Sequence, residues 1–362
     1  MPLFSKSSTK CLGIDIGATS IKVVEIAKKE EKLSLNNYGI ASIEDVTGKT
    51  LRSKSDQAVT SSKSAIAETI EKILKEAGIK TKKTVFSIPD YSSFFTSFEV
   101  PKMKRSEVES AIHYQARQRV PLPLNEVTLD WTLAKLREKD DKELIEVLLL
   151  AVPNDIIKAY RAIADKVGLK VGALDAEVFG LAKLYSKDGR TIAVVDVGDQ
   201  STTVNIIKDG VPKHSHSINV AGKDFTKEIA ILPEVDYNRK ERDEENEDEK
   251  EDQKESEEEM ATEVSKKIKK SLSDELSKKI KRVCDSYEDD GREEIDDIII
   301  IGGGINFDEL NEALIKNNSA VLGSPFNNID YPSALEPMMS EDLPSLLSVA
   351  TGMALEGLKS EK

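Results

Sequence analysis

The sequence predicts an α/β protein of two duplicated lobes, with a small α/β subdomain inserted into the first lobe. Residues 13–23 read GIDIGATSIKV and residues 194–204 read VVDVGDQSTTV, so both contain a strand, an aspartate, a glycine turn with hydroxyl residues and a second strand. Their aspartates, Asp15 and Asp196, lie half of the 362-residue chain apart. Such self-similarity is typical of a duplicated architecture. A third turn, the triple glycine at 302–304, follows a late apolar strand.

Composition and charge narrow the class of protein. Hydrophobic residues make up 39% and aromatic residues 5%, which suits an α/β core of aliphatic side chains. The net charge of -14 argues against a nucleic-acid partner. Much of that charge lies in residues 233–260, where positions 234–259 hold fifteen Asp or Glu and five Lys or Arg. This segment has too few apolar residues to bury, so we expect it to be disordered or at most a lone solvated helix.

Two further observations concern the cellular compartment in which the protein is expected to lie. The sequence has no apolar run long enough to cross a bilayer, and its lysine-rich start lacks the apolar stretch of a signal peptide. We therefore expect a cytoplasmic protein. Cys11 and Cys284 have no metal-binding spacing and are expected to be buried free thiols.

The elements follow from hydrophobic periodicity. Each lobe opens with a β-hairpin, because two β-branched runs flank a turn that contains glycine. A helix is predicted at 63–77, since its apolar residues recur on one face and Gly78 follows its end. The other predicted elements are strands at 85–89 and 94–100, a helix at 106–120 ended by Pro121 and Pro123, strands at 127–136 and 144–152, a helix at 154–167, strands at 191–197 and 202–207, an amphipathic helix at 268–287, a strand at 297–301 and a last helix at 343–358.

These elements define the domain boundaries. Residues 1–90 begin the first lobe, residues 91–168 form the inserted β-α-β-β-α subdomain, and residues 169–190 return to the first lobe. The second lobe covers residues 191–342 and carries the acidic segment. Residues 343–362 form a C-terminal helix that returns to the first lobe.

The two hairpins and the triple glycine carry the predicted chemistry. Small residues in a turn let backbone N–H groups point into one space, which suits phosphate oxygens, and hydroxyl groups and a lysine add further donors. Asp15 and Asp196 would repel phosphate, so they are expected to act through a hydrated divalent cation, Mg²⁺. One Asp-x-Gly turn is common in ordinary hairpins, but three elements in this order favour a nucleotide cleft. The predicted nucleotide-binding residues are Asp15, Gly17, Ala18, Thr19, Ser20, Lys22, Asp196, Gly198, Asp199, Gln200, Ser201, Thr202, Gly302, Gly303, Gly304 and Ile305.

These motifs resemble those of the superfamily that contains actin, sugar kinases and the heat-shock chaperone ATPases. The hairpin turns are similar to its two phosphate motifs, the triple glycine is similar to its adenosine motif, and residues 348–357 are similar to its late connecting helix. The resemblance implies an actin-like fold of duplicated RNase H-like lobes that binds ATP and Mg²⁺. Glu177 occupies a position similar to the water-positioning glutamate of the chaperone branch, which implies a catalytic role. An ordinary solvated acid at a helix start is the alternative for Glu177.

The insertion resembles the extra subdomain of FtsA and, more specifically, of the PilM family. The segment VPLPLNEV at 120–127, with Tyr114, Gln115 and the LDAE run at 174–177, carries the closer resemblance. It implies an ATP-binding scaffold of the inner-membrane platform for type IV pilus assembly, peripheral to the inner face of the membrane, with slow ATP hydrolysis or none. Its implied partner is the cytoplasmic N-terminal peptide of a PilN-type membrane protein, held between the insertion and the first lobe. We expect contacts from residues 107–120 and the turn that follows them.

Two alternatives stay open, and so does self-association. An FtsA-like division protein would form filaments and carry a membrane-targeting C-terminal helix, which the polar residues 359–362 do not provide. A small-molecule kinase of the sugar-kinase branch would need an aspartate base in a substrate pocket. One departure from the superfamily pattern lies after Gly222, where the expected ribose-contacting helix runs into the acidic segment and puts adenosine contacts from that lobe in doubt.

Overall fold

The computed structural model describes residues 9–47, 57–139, 142–222, 224–225, 247–289, 292–303, 312–316, 320–339 and 343–358. Its strands are β1 (Thr9–Ile16), β2 (Ser20–Lys29), β3 (Lys32–Ser42), β4 (Lys83–Ile88), β5 (Phe94–Pro101), β6 (Val127–Lys139), β7 (Lys142–Pro153), β8 (Lys170–Ala176), β9 (Thr191–Val197), β10 (Thr202–Lys208), β11 (Val211–Ile218), β12 (Asp297–Ile301) and β13 (Val321–Leu322). Its α-helices are α1 (Ile43–Thr47), α2 (Gln57–Ser61), α3 (Lys63–Glu76), α4 (Arg105–Arg119), α5 (Asn154–Val167), α6 (Glu177–Tyr185), α7 (Glu247–Asp289), α8 (Glu336–Met339), α9 (Leu343–Leu346) and α10 (Ser348–Gly357).

The two lobes have the same sheet topology. The first sheet has the order β3-β2-β1-β4-β8 and the second has the order β11-β10-β9-β12-β13. In each, an antiparallel hairpin is followed by parallel strands: β1 with β4 and β4 with β8 in the first lobe, and β9 with β12 and β12 with β13 in the second. The equal strand order confirms the predicted duplication.

The insertion is a three-stranded antiparallel sheet, β5-β7-β6, covered on one face by α4. Val108, Ile112 and Ala116 on α4 pack against Val147 and Leu149 on β7, forming a core separate from those of the lobes. Helix α4 begins at Arg105, one residue before the predicted start at residue 106, and Glu107 accepts a hydrogen bond from the backbone N–H of Lys104. The first four elements of the predicted module are therefore present.

The predicted boundary at residue 168 assigns helix α5 to the inserted subdomain. In the structure, α5 packs in the core of the first lobe. Its buried face packs beside α3 in the core of the first lobe, and the ring of Tyr160 makes an edge contact with Phe86 on β4, with centroids 5.7 Å apart. The reason is its strongly amphipathic face, with Ile156 and Ile163 fully buried. An apolar stripe predicts burial but does not say against which sheet.

Two helices, α6 and α10, cross each other at a pair of glycines. A Cβ atom on Gly352 would lie 2.8 Å from the Cα atom of Gly180, closer than real Cβ contacts allow. Helix α10 also rests on β1, since a Cβ atom on Gly13 would overlap the backbone of Ala350. These backbone contacts fix the position of α6, whose first residue is Glu177.

Helix α7 joins the end of the acidic segment to the second lobe. It begins at Glu247, inside the predicted solvated segment, and its later turns bury Leu276 and Ile280 against the sheet. Residues 226–246 lie outside the described residues. In the described ranges, no helix is long and apolar enough to cross a membrane.

Candidate functional site

The carboxyl ends of the parallel strands from both lobes meet around one cavity of about 330 Å³. Such ends of an open α/β sheet are where ligands commonly bind. Asp15 comes near the end of β1, Glu177 directly after β8, Asp196 near the end of β9 and Gly302 directly after β12. The lining residues from the predicted set are Asp15, Gly17, Ala18, Thr19, Ser20, Lys22, Glu177, Asp196, Gly198, Asp199, Gln200, Ser201, Gly302 and Gly303.

The two hairpin turns have the same backbone geometry. The N–H of Gly17 donates to the carbonyl of Ser20 at 3.0 Å, and the N–H of Gly198 donates to the carbonyl of Ser201 at 3.1 Å. Each turn is thus closed by one hydrogen bond across four residues. This places the small residues between them at the cavity wall.

The strand register assigns equivalent positions in the two hairpins. Asp15 lies opposite Lys22, and Asp196 lies opposite Thr203. Thr203 lines the cavity, whereas Thr202 is fully buried and its hydroxyl donates to the carbonyl of Val220 at 2.7 Å. Since side chains alternate along a strand, Thr202 points away from the cavity that its neighbour faces.

Lys22 lies in an acidic environment. Its Nζ is 3.2 Å from Oδ2 of Asp15, while the Ser87 hydroxyl donates to Oδ1 of the same carboxylate at 2.8 Å. Burial lowers the pKa of Lys22, but Asp15, Asp196 and Glu177 outweigh that effect and raise it above its ordinary value. Lys22 is therefore a fixed positive charge at the centre of the cleft.

Three other carboxyl groups have raised pKa values. Burial raises the pKa of Asp196 to about 6, and the charges of Asp15 and Asp90 add to this although Lys22 opposes it. Burial also raises the pKa of Asp90 to about 6, against the opposing effect of hydrogen bonds from Asn205 and the backbone of Val178. The pKa of Glu177 is raised well above its ordinary value by burial and then by Asp90, Asp15 and Asp196.

The glycine turn after β12 closes the cavity from the second lobe. Gly302 has a φ of +99°, and a Cβ atom there would lie 2.6 Å from the carbonyl oxygen of Val197 and also overlap the Asp196 carboxylate. Only glycine fits this close approach. Gly304 and Ile305 lie outside the described residues.

Comparisons with known proteins identify the family of this fold and cleft. The sequence profile described as type IV pilus assembly protein PilM matches residues 13–358. The chain belongs to the PilM family of type IV pilus assembly proteins. This confirms the resemblance inferred from the motifs.

Similar solved structures agree on the fold. A structure of a PilM–PilN type IV pilus biogenesis complex superposes with a TM-score of 0.75 at 20% identity, over 97% of this chain and 99% of the other. The ethanolamine utilization protein EutJ from Carboxydothermus hydrogenoformans gives a TM-score of 0.50 at 13% identity, over 97% of this chain and 91% of that one. The predicted actin-like α/β fold is therefore confirmed.

The cell division protein FtsA of Enterococcus faecalis is a relative by sequence. It is 24% identical over 251 residues, which cover 64% of this chain and 56% of FtsA. The chain thus spans little more than half the length of this curated relative. FtsA, the first alternative, is related to this PilM-family chain.

The cleft residues fit a hydrated divalent cation better than a fully protein-bound one. Among the described residues, no three or more His, Cys, Asp or Glu side chains come close enough together to hold a metal ion. The cleft nevertheless places Asp15, Asp196 and Glu177 around Lys22, with Asp90 beside Glu177. Mg²⁺ usually keeps several waters and uses one or two carboxylates together with phosphate oxygens. Asp15 and Asp196 match that requirement.

Sequence reasoning did not identify several residues of the cleft. Ser87, Asp90 and Thr203 were not predicted, and Gly222, Ser345 and Leu346 also lie at the cavity wall. Asp90 could have been found, because it follows the buried strand β4, a position like that of the predicted aspartates at strand ends. Ser345 and Leu346 could not have been identified from the sequence, since α9 carries no phosphate-binding pattern.

Proposed function

We propose that this PilM-family chain is a cytoplasmic, ATP-binding scaffold for type IV pilus assembly that binds the N-terminal peptide of a PilN-type membrane protein. The observation that supports ATP binding is the pair of matched hairpins on either side of one cavity. Their closed turns present backbone and hydroxyl donors, Lys22 supplies a positive charge, and Asp15 and Asp196 would hold a hydrated Mg²⁺.

The location of Glu177 at the cavity wall supports a role for it as an acid that assists hydrolysis. It begins α6 at the cavity wall, and burial and its acidic neighbours favour the protonated carboxyl in the ligand-free cleft. A Mg²⁺ ion among the same acids would favour the ionised form by adding positive charge. We infer slow ATP hydrolysis or none, because a scaffold needs closure around the nucleotide and not fast chemistry.

A groove between the insertion and the first lobe supports the peptide part of the proposal. It has a volume of about 550 Å³, with the β5-β7-β6 sheet on one side and α6 on the other. Thr132 and Leu148 belong to the insertion wall, and Phe179 and Lys183 belong to the α6 wall. Strand β6 is also an edge of its sheet, where an extended peptide can pair through its backbone.

The outer face of the insertion offers a second surface for the same peptide. Tyr114 on α4 is 61% exposed and Leu122 in the following turn is 40% exposed. This is the surface predicted from the sequence to contact the partner. Exposed aromatic and aliphatic side chains of this kind are typical of binding anchors.

Calorimetric titration of the full chain tests both parts. We expect Mg-ATP to bind, with binding lost in Asp15→Ala and in Asp196→Ala, because each removes a carboxylate that faces the cation. Absence of binding in the unsubstituted chain would refute the nucleotide part.

The peptide part is tested with a synthetic N-terminal peptide of the PilN-type protein from the same genome. Thr132→Lys alters the groove, and Tyr114→Ala alters the outer face, so the substitution that weakens binding identifies the surface. Lys279→Ala, on α7 and paired within that helix with Glu275, serves as the control. Equal affinity in all three variants would exclude both surfaces.

A further inference from the structure

Polar contacts join both sides of the groove to the second lobe. Beside the start of α6, Oδ2 of Asp90 accepts a hydrogen bond from Nδ2 of Asn205 at 3.0 Å. On the insertion wall, both carboxylate oxygens of Glu146 lie within 2.6 Å of Nζ of Lys213. Asn205 and Lys213 belong to β10 and β11 of the second lobe, whereas Asp90 and Glu146 do not.

Asp90 also fixes the start of α6. Its Oδ1 accepts the backbone N–H of Val178 at 3.3 Å, and its own N–H donates to Oε2 of Glu177 at 3.4 Å. Val178 is in the first turn of α6, where backbone N–H groups have no partner within the helix. The Asp90 carboxylate therefore joins the beginning of α6 to a strand of the opposite lobe, while the backbone N–H of the same residue holds the Glu177 side chain.

The Glu146–Lys213 pair is almost completely buried, with side-chain exposures of 8% and 11%. A buried ion pair is costly to separate, since loss of either partner leaves a charge without its counter-charge. The inserted sheet is therefore expected to follow β11 when the second lobe moves. The exposed Lys102–Glu143 pair lies within the insertion and makes no such connection.

Both contacts involve the two strands, β10 and β11, that follow the turn of the second phosphate hairpin. Strand β10 begins at Thr202, directly after the turn that Ser201 closes, and β11 pairs with β10 along its length. A shift of this hairpin on binding nucleotide would be carried along β10 to Asn205 and through β11 to Lys213. The walls of the groove would then shift relative to each other.

We propose that the Asp90–Asn205 and Glu146–Lys213 contacts couple nucleotide occupancy of the cleft to the shape of the groove, with Asp90 acting as a positioning residue for α6. This inference rests on the proposed nucleotide and peptide sites and adds a link between them. Coupling is reciprocal, so a peptide in the groove and a nucleotide in the cleft change each other's affinity by the same factor.

Hydrogen exchange of the full chain, followed by mass spectrometry with and without Mg-AMPPNP, tests this coupling. In the unsubstituted chain we expect the nucleotide to change the amide exchange rates of residues 128–132 and 179–186. The expected change is about fivefold or more, because fivefold is the lower end of the usual coupling factor between two sites. Calorimetry on the same samples measures nucleotide binding separately.

Two variants remove the contacts while keeping the cleft. Asn205→Ala deletes the interlobe hydrogen bond to Asp90. It removes no hydrogen bond of the Asn205 Oδ1 atom, since that atom has no partner among the described residues. Glu146→Gln with Lys213→Met replaces the buried ion pair by neutral groups of similar size, which avoids leaving a lone charge. Lys102→Met breaks the exposed pair as the matched control.

The outcomes separate the two proposals. The coupling is supported if Asn205→Ala and the Glu146→Gln/Lys213→Met variant bind Mg-AMPPNP but lose the change in exchange, while Lys102→Met keeps it. It is overturned if nucleotide binds without any change in the groove, or if both variants respond like the unsubstituted chain. Absence of calorimetric binding to the unsubstituted chain refutes the proposed nucleotide site and the coupling with it.

Discussion

At the scale of single residues, the described part of the cleft contains more acidic groups than Lys22 can balance. The Asp15 carboxylate has a lysine and a serine hydroxyl as partners. Asp196, Asp90 and Glu177 instead have pKa values raised first by burial. An arrangement with unbalanced acids is costly in a ligand-free protein, and it is typical of functional sites. A divalent cation would supply the missing positive charge.

The raised pKa values predict a pH dependence of stability. An acid whose pKa is higher in the folded than in the unfolded state adds stability below its unfolded value, and this is lost as pH rises through the folded value. For Asp196 and Asp90 that window runs from about 4 to about 6. In metal-free buffer we therefore expect these acids to lower the free energy of unfolding across this window, measured by urea denaturation. Asp196→Asn should flatten the dependence, and an unchanged profile would contradict the prediction.

The strand register of the second hairpin leads to a prediction that could not be made from the sequence alone. Thr203 faces the cavity and Thr202 faces the interior. We expect Thr203→Val to weaken Mg-ATP binding by roughly two- to tenfold, the effect of one neutral hydrogen bond. Thr202→Val should lower stability by about 1 kcal/mol with no change in affinity. Calorimetry and urea denaturation of both variants measure these effects, and a reversed pattern would restore Thr202 as the binding residue.

At the scale of elements, the crossing of α6 and α10 determines where Glu177 stands. Gly180 and Gly352 let the two helices touch backbone to backbone. We expect Gly352→Ala to destabilise the protein by about 1–3 kcal/mol, as overpacking usually does. Gly172→Ala is the matched control, because its Cβ atom would meet only an ordinary contact, 3.5 Å from the Thr84 carbonyl oxygen. Equal urea midpoints for the two variants would show that the crossing tolerates a side chain.

Helix α7 allows the role of the acidic segment to be tested. Its contacts with the core of the second lobe come from Leu272, Leu276, Ile280 and later residues. We therefore expect deletion of residues 234–259 to leave Mg-ATP affinity unchanged within about twofold, which is less than the value of one hydrogen bond. Leu276→Ala should instead lower the free energy of unfolding by about 2–5 kcal/mol, because it leaves a cavity in the core of the second lobe. Loss of nucleotide binding in the deletion variant, measured by calorimetry, would show that the segment supports the cleft.

The sequence predicted the elements better than their packing. Asp15, Asp196 and the glycine turns are local patterns, so the repeated hairpin could be identified and the duplicated lobes inferred. Helix α5 shows the limit, because its apolar face predicts a buried helix but does not predict that this face packs with α3 in the core of the first lobe. Asp90 shows the same limit, since its position after β4 can be read from the sequence but its partners Asn205 and Val178 are distant along the chain.

At the scale of the whole molecule, the nucleotide cleft belongs to neither lobe alone. Its cavity is lined by the Asp15 hairpin on one side and by the Asp196 hairpin and Gly302 on the other. A ligand that contacts both lobes stabilises only the folded, closed chain, and at a hundred times its dissociation constant the gain is about 2.7 kcal/mol. Mg-ATP is therefore expected to raise the thermal midpoint of the full chain.

The two-sided site predicts how this stabilisation is lost. Asp15→Asn and Asp196→Asn each keep the shape of the side chain and remove one negative charge from opposite lobes, so each alone should reduce the Mg-ATP-induced rise in midpoint. Because both are expected to act through one cation, the double variant should lose little more than the more affected single variant. Thermal denaturation with and without Mg-ATP measures this, with Asp130→Asn in the groove as the control. Additive losses would instead mean that the two carboxylates act independently on the nucleotide, and the shared-cation arrangement would be wrong.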